Sequence, residues 1–369
     1  MKKLNLLFLV IALISCSDVI SQFAKNGLQS VNSQITAEQT ELIFENAKSF
    51  PEKTQISIAI IEDANVKFIG VIRINDTLQL LDNHKKVFEI GSISKVFTST
   101  LLANYVVNHK LELDSPIQDF IAFNIKTNEE ITFRQLANHT SGLPRMPSNF
   151  SLSLAERNNP YRNYNKGKLI EYMTEKIALN ESPGTKYDYS NLGAGLLGYI
   201  LAEYTNSTYD KLLHEQIFSR YEMMSSTTDR AKINSVLVKG LDNRGNETPN
   251  WDFDVLVGAG GILSSVFDLS KFALAQFDDA NVELKLTQKS TFSIDTKMKI
   301  GMGWHIIKTS NENDVLWHNG GTGGYSSSMI VDVKNKNGII ILSNVSAYNK
   351  EMGNIDNLCF SLLKTLIIK

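Results

Sequence analysis

The sequence predicts an α+β fold in which one sheet is assembled from both ends of the chain and a mostly helical stretch lies between. Residues 38–74 read as a helix and then a strand hairpin. Residues 301–344 return to strands and are followed by a last helix, while between them apolar residues recur mainly at helical spacing. With 369 residues, 43% of them hydrophobic and 21% charged, the chain can bury a large core as one two-part unit or two domains. The expected α/β part covers about 38–110 and 282–369, and the helical part about 111–281.

Each element has a local reason. Leu42, Ile43 and Ala47 share a helical face within 38–49, and two apolar runs, 55–61 and 67–74, flank the turn Glu62-Asp63-Ala64-Asn65. A short apolar run ends at Ile90, Gly91 follows, and Val96, Phe97, Leu101, Leu102 and Tyr105 then recur near the helical period. Residues 146–168 show no period and are rich in Ser, Asn and Arg, which predicts a long surface loop of the kind that covers active sites. Helices are expected over 169–178, 192–204, 209–220 and 265–277, with a turn-rich β insertion over 235–257. The last strands are expected at 301–307, 314–318, 325–333 and 338–344, with a hairpin turn at 334–338 and a final helix over 347–366.

Composition excludes several functions. A formal net charge of −2 and no run of basic residues interleaved with aromatics argue against nucleic acid as a partner. The six histidines show no metal-ligand spacing and the two cysteines, Cys16 and Cys359, stand far apart, so neither a metal nor another cofactor is expected. Met1-Lys2-Lys3 and the apolar block after it fit a signal peptide over 1–15. Leu13-Ile14-Ser15-Cys16 is similar to a bacterial lipobox, which implies lipidation at Cys16, a polar tether over 16–37 and a folded body from 38. The protein is then expected in the bacterial cell envelope, exported and held at a membrane by acyl chains. An ordinary signal peptide with a chance cysteine is the alternative. Cys359, among Leu358, Phe360 and Leu362, reads as a small core residue.

The chemistry centres on Phe88-Glu89-Ile90-Gly91-Ser92-Ile93-Ser94-Lys95. Residues 92 and 95 fall on one helical face, so the Lys95 amine can reach the Ser92 hydroxyl and activate it as a nucleophile. A helix start adds unpaired N–H groups and a positive dipole end, a setting that suits an oxyanion. Alone, Ser-x-x-Lys is a common pairing whose lysine usually faces solvent. It gains meaning from Tyr189-Ser190-Asn191 and His318-Asn319-Gly320 downstream. Read singly, Tyr189 could be a helix-start aromatic, Asn191 an N-cap and Gly320 to Gly324 a flexible turn.

In this order the three groups resemble those of the penicillin-recognising serine hydrolases, specifically the class C β-lactamase-related branch. HTSGLP, GAGGILSS, GMGW and WHNGGTGGYSSS are similar to that family too, so the resemblance spans about residues 40–345. It implies a β-lactamase/transpeptidase-like α/β sandwich: an antiparallel sheet with flanking N- and C-terminal helices plus a helical subdomain. It also implies a Ser92 acyl-enzyme on an amide or ester, with Lys95 and Tyr189 moving protons and an Lys95 ammonium favouring the Tyr189 phenolate. Asn191 would hold Lys95 and a substrate amide, the Ser92 and Gly321 N–H groups would form the oxyanion hole, and Asn319 and Gly320 would contact substrate. His139 is expected to order a nearby loop. His318 stands where class C enzymes usually carry a lysine that binds the substrate carboxylate, which leaves a β-lactam, a D-Ala peptide of peptidoglycan type or an acyl ester as substrate. A penicillin-binding sensor that acylates without turnover, or a binding-only lipoprotein, is the alternative.

Overall fold

The computed structural model describes residues 23–28, 35–150, 153, 156–309 and 312–367. The expected signal peptide and Cys16 lie outside them. The described strands are β1 (Lys25–Asn26), β2 (Gln55–Glu62), β3 (Asn65–Ile74), β4 (Thr77–Leu80), β5 (Phe88–Glu89), β6 (Leu263–Ser264), β7 (Phe292–Ser293), β8 (Met298–Ile300), β9 (His305–Lys308), β10 (Asp314–Gly321), β11 (Ser326–Asp332) and β12 (Asn337–Ser343). Ten form one sheet in the order β1-β4-β3-β2-β12-β11-β10-β9-β8-β7, and β5 pairs with β6 apart from it. Every pairing is antiparallel except β1 with β4.

The two ends of the chain meet at β2 and β12, where Ala59 lies opposite Ile340. Both strands are apolar on both faces, which requires both faces to be covered. Alternation then sorts the side chains. Ile56, Ile58, Ile60, Ile339 and Ile341 face the layer made by α1 (Ala37–Ala47) and a C-terminal helix over Gly353–Ile367. Ala59, Ile61, Ile340 and Leu342 join the larger core on the other side. Thr36 starts α1 with a reciprocal capping box to Gln39. Cys359 is fully buried in the first layer, a core residue as expected.

On the opposite face, α2 (Ser94–Val107) is buried continuously from Ser94 to Tyr105. Around it lie α3 (Phe133–Ala137), α4 (Lys166–Glu171), α5 (Asn191–Tyr204), α6 (Tyr209–Leu213), α7 (Val266–Ala275) and α8 (Val282–Thr287), and the C-terminal helix is α9. α4 and α6 each run on into a wider π-helical turn, Tyr172–Lys176 and His214–Phe218, so the helices expected at 169–178 and 209–220 exist with a change of pitch. The helix α7, expected in the helical part, packs on β2 and β12, and one core runs through both parts.

Three expectations are revised. Within the expected tether, β1 pairs with the edge strand β4, and Ala24 and Leu28 are buried; a two-residue strand is too short to show a period. The expected β insertion at 235–257 carries only isolated bridges, such as Val87 with Leu237. Residues Gly301 to Trp304 form a turn before β9. Gly303 there has φ +74°, and a side chain on it would stand 2.8 Å from the Lys95 carbonyl oxygen, so this turn seats against α2.

Candidate active site

Ser92 lies in a short 3₁₀ turn, Gly91–Ile93, that links β5 to α2, and Lys95 lies in the first turn of α2. Lys95 Nζ is 3.0 Å from Ser92 Oγ and donates to the Ala259 carbonyl at 2.6 Å. The amine is buried, and desolvation, with the Arg145 charge adding to it, holds its pKa well below the ordinary lysine value. The Ser92 hydroxyl also hydrogen-bonds the Tyr189 phenol, whose ring centroid is 4.9 Å from Lys95 Nζ. Burial pushes the Tyr189 pKa up despite that bond. Desolvation thus works against the expected Lys95 ammonium with a Tyr189 phenolate, since both shifts run toward the neutral amine and the neutral phenol.

Tyr189 is fixed by rings. His139 packs at 4.5 Å between centroids, and His318 and His305 lie at 6.2 and 6.5 Å. The Ser190 N–H donates to His139 Nδ1 at 3.2 Å, and Tyr187 Oη and His305 Nε2 are 2.8 Å apart. Burial lowers the pKa of all three histidines, that of His305 to about 4, so all are neutral near pH 7. His318 Nδ1 is 2.6 Å from the Asn319 carbonyl oxygen, which can only accept, so Nδ1 carries the proton and Nε2 is a bare acceptor. Among the described residues that Nε2 has no partner, and no group of three or more His, Cys, Asp or Glu could hold a metal ion.

Asn191 opens α5, which Ser190 caps by accepting from the Gly193 N–H at 2.8 Å. Its amide donates to Tyr161 Oη at 3.0 Å and contacts Met146 Sδ at 3.7 Å; the expected bond to Lys95 is replaced by that of Lys95 to Ala259. The Asn191 Oδ1 is buried without a partner among the described residues.

The strand β10 closes the site from the other side. A side chain on Gly91, whose φ is +51°, would stand 2.5 Å from Gly321 N, and one on Gly320 would stand 2.1 Å from the Ile90 carbonyl oxygen and 2.8 Å from Ser92 N. Only glycines allow these backbones to touch, and their contact brings the Ser92 and Gly321 amides together. Ser327 Oγ donates to the same Ile90 carbonyl at 2.9 Å. Strand alternation sends His318 toward Tyr189 and Asn319 the other way, where its amide donates to Asp356 of α9 at 2.7 Å. The expectation that the Asn319 side chain binds substrate is thereby corrected.

A family model described as Beta-lactamase matches residues 60–358. The chain belongs to the β-lactamase family. A β-lactamase of Pseudomonas fluorescens is 26% identical over 272 residues, 71% of this chain and 72% of that protein. Protein flp of Staphylococcus aureus (strain N315) is 23% identical over 309 residues, 75% of this chain but only 58% of flp. Among solved structures, an octameric penicillin-binding protein homologue from Pyrococcus abyssi superposes with TM-score 0.75 at 21% identity, covering 90% of this chain and 77% of the other. A β-lactamase/D-alanine carboxypeptidase from Yersinia pestis gives 0.73 at 20% identity, covering 89% and 96%. A class C β-lactamase from Rhodobacter sphaeroides gives 0.73 at 18% identity, covering 90% and 100%. At these identities the structural matches establish the α+β fold.

Around this β-lactamase-family site lies a cleft of about 420 Å³, lined by Ser92, Asn191 and Gly321 and walled by Phe150, Tyr161, Trp251, Phe253 and Tyr348. Met146, Phe150 and Tyr161 come from the loop expected over the site. Sequence reading missed what holds the wall. Glu89, one of the eight motif residues, is buried and accepts from the Asn250 amide at 2.7 Å and the Trp251 N–H at 2.9 Å. Burial raises its pKa to about 7, against the pull of Thr322, Asn250, Trp251 and Arg230. Its acidic letter inside an apolar run was the available signal, without a partner to attach it to. Asn319→Ala is expected to cost about 1–3 kcal/mol in urea unfolding, because Asp356 loses one of its donors, while kcat/KM stays within about threefold. A loss of hundredfold in kcat/KM would return Asn319 to the substrate side.

Proposed function

We propose that the protein is a serine acyl hydrolase related to the class C branch, cleaving an amide or ester through a Ser92 acyl-enzyme. The observation that carries this reading is the hydrogen-bonded set Lys95, Ser92 and Tyr189 beside the paired Ser92 and Gly321 amides. Neutral Lys95 takes the Ser92 proton as Oγ bonds to the substrate carbonyl carbon, and the carbonyl oxygen, now anionic, accepts from the two backbone N–H groups. When the tetrahedral adduct collapses, the bond to the leaving nitrogen or oxygen breaks, Tyr189 protonates that atom, and Tyr189 recovers a proton from Lys95. Water repeats the sequence on the acyl-enzyme, and Ser92 leaves protonated. The substrate is a β-lactam, a D-Ala peptide or an acyl ester. A neutral His318 with its lone pair inward disfavours a carboxylate at that position, which argues against a β-lactam as the main substrate.

Intact-mass spectrometry after mixing with a β-lactam, an acyl ester and a D-Ala-D-Ala peptide should give a transient adduct and released product, both abolished by Ser92→Ala. A lasting adduct would instead make the protein a sensor, and no adduct with any of the three would remove the acyl-enzyme altogether. The pH profile of kcat/KM should show an acid limb well below the ordinary lysine pKa, because protonating Lys95 removes the base. Lys95→Arg should cost about 10²–10⁴-fold and abolish that limb. A limb near the ordinary lysine value would show that Lys95 works as an ammonium. His318→Lys should raise turnover of a chromogenic cephalosporin by about tenfold, since a cation there can bind the carboxylate; no gain in a folded variant would remove the carboxylate argument.

A further inference from the structure

A second cleft, of about 380 Å³, shares no lining residue with the one at Ser92 and is lined by Lys53, Lys86 and Lys239 together with Glu247, Ile72 and Leu237. Main-chain bonds bring the three lysines together. The Asn344 amide donates to the carbonyl oxygens of Lys53 and Lys239 at 3.2 and 2.8 Å, and Lys86 precedes Val87, whose N–H donates to the Val236 carbonyl and whose own carbonyl accepts from the Val238 N–H. Among the described residues Lys25, Lys53, Lys86 and Lys239 have no acidic partner, whereas the nearby Glu52 and Asp76 both pair with Arg73, and Glu45 pairs with Lys48.

The N-terminal segment arrives at the same corner. The Ala24 N–H donates to the Lys48 carbonyl and the Lys25 N–H to the Asp76 carbonyl, while Arg73, whose carbonyl accepts from the Lys53 N–H, pairs with Asp76. Phe23 and Ile74 are exposed there at 60% and 40%. Cys16, the expected site of lipidation, precedes Phe23 by seven residues, a reach of about 25 Å at about 3.5 Å per residue, so an acylated chain holds this corner within that distance of the bilayer. Lysines that close to anionic lipid each add attraction, and an acyl anchor joined to a basic face binds more firmly than the anchor alone. Across the sheet Ile56, Ser343, Ser326 and Gly321 stand opposite one another in β2, β12, β11 and β10, so the basic corner lies at the end of the sheet that carries the Gly321 amide.

We propose that this corner is a docking face for an anionic phospholipid surface, which Lys25, Lys53, Lys86 and Lys239 meet as a group while Phe23 and Ile74 enter the interface. Docked in this way, the body turns the Gly321 end of its sheet toward the bilayer. The test uses the full chain carrying Cys16→Ser, so that acylation plays no part, mixed with vesicles of phosphatidylcholine with or without about a third of phosphatidylglycerol. The quantity read is the ratio of the two partition constants, because the apolar block after Lys3 enters both kinds of vesicle. It should favour the anionic vesicles by about tenfold or more and fall with added salt. Lys53→Gln combined with Lys86→Gln and Lys239→Gln should remove most of that preference. Lys110→Gln combined with Lys126→Gln and Lys211→Gln makes the same change of charge in the helical part and should leave it; all six lysines are exposed, so both variants should fold. Equal partition into the two vesicles, or an equal loss in the two triple variants, overturns the proposal. Release by inorganic phosphate but not by sodium chloride of the same ionic strength would make the cleft a pocket for single phosphate groups, and overturns it too.

Discussion

The structure depends on one backbone-to-backbone contact, where the turn before α2 meets the end of β10. At Gly91 and Gly320 there is no space for a Cβ, and the Ile90 carbonyl, the Ser92 amide and the Gly321 amide lie within a few ångströms of one another. Ser327 fastens the same carbonyl from β11, and the β5–β6 pair fixes the approach to the turn. Ser92 and the Gly321 amide are thus placed by main chain, whose positions vary less than those of flexible side chains. Around that contact the side chains have mostly to exclude water.

Excluding water decides the protonation of the site. Lys95, His139 and His318 are buried and Tyr189 is half-buried, and in each case loss of solvation is the largest influence on the proton. The common direction is toward neutrality: the Lys95 pKa moves down, the Tyr189 pKa up and the imidazole pKa values down. In the proposed reaction, a relay built from neutral groups would pass through its charged states only transiently, when the Ser92 and Gly321 N–H groups would compensate them. Glu89 follows the same rule on the wall side, where its raised pKa leaves it partly protonated near neutrality and its hydrogen bonds to Asn250 and Trp251 hold the loop.

Much of this was legible in the sequence, for definite reasons. Ser92 and Lys95 are neighbours along one helix, so their meeting needs only local geometry. Tyr189 and His318 became readable through the order of the motifs, and strands at both ends of the chain pointed to one sheet assembled from distant segments. What escaped was information that letters do not carry. The Ala259 carbonyl that takes the place of Asn191 on Lys95 is main chain, present at every residue. The face of Asn319 depends on the parity of β10, which follows only from knowing that His318 points inward. The sense of the Lys95 and Tyr189 shifts depends on depth, and the aromatic wall gathers residues from separate loops. The strand β1 and the strands β7 and β8 are too short for any period to show.

The bond from Asn319 to Asp356 ties the strand beneath the site to the last helix, while the nucleophile belongs to the first quarter of the chain. Loop closure over such separations is slow, and contacts between distant segments form only when both are available. During synthesis the Ser92 segment therefore emerges long before the glycines that complete it. The nascent polypeptide carries its serine and lysine in an unassembled and wet state, where neither is activated. Under the proposed mechanism the site around Ser92 is complete only once the C-terminal strands and α9 have docked.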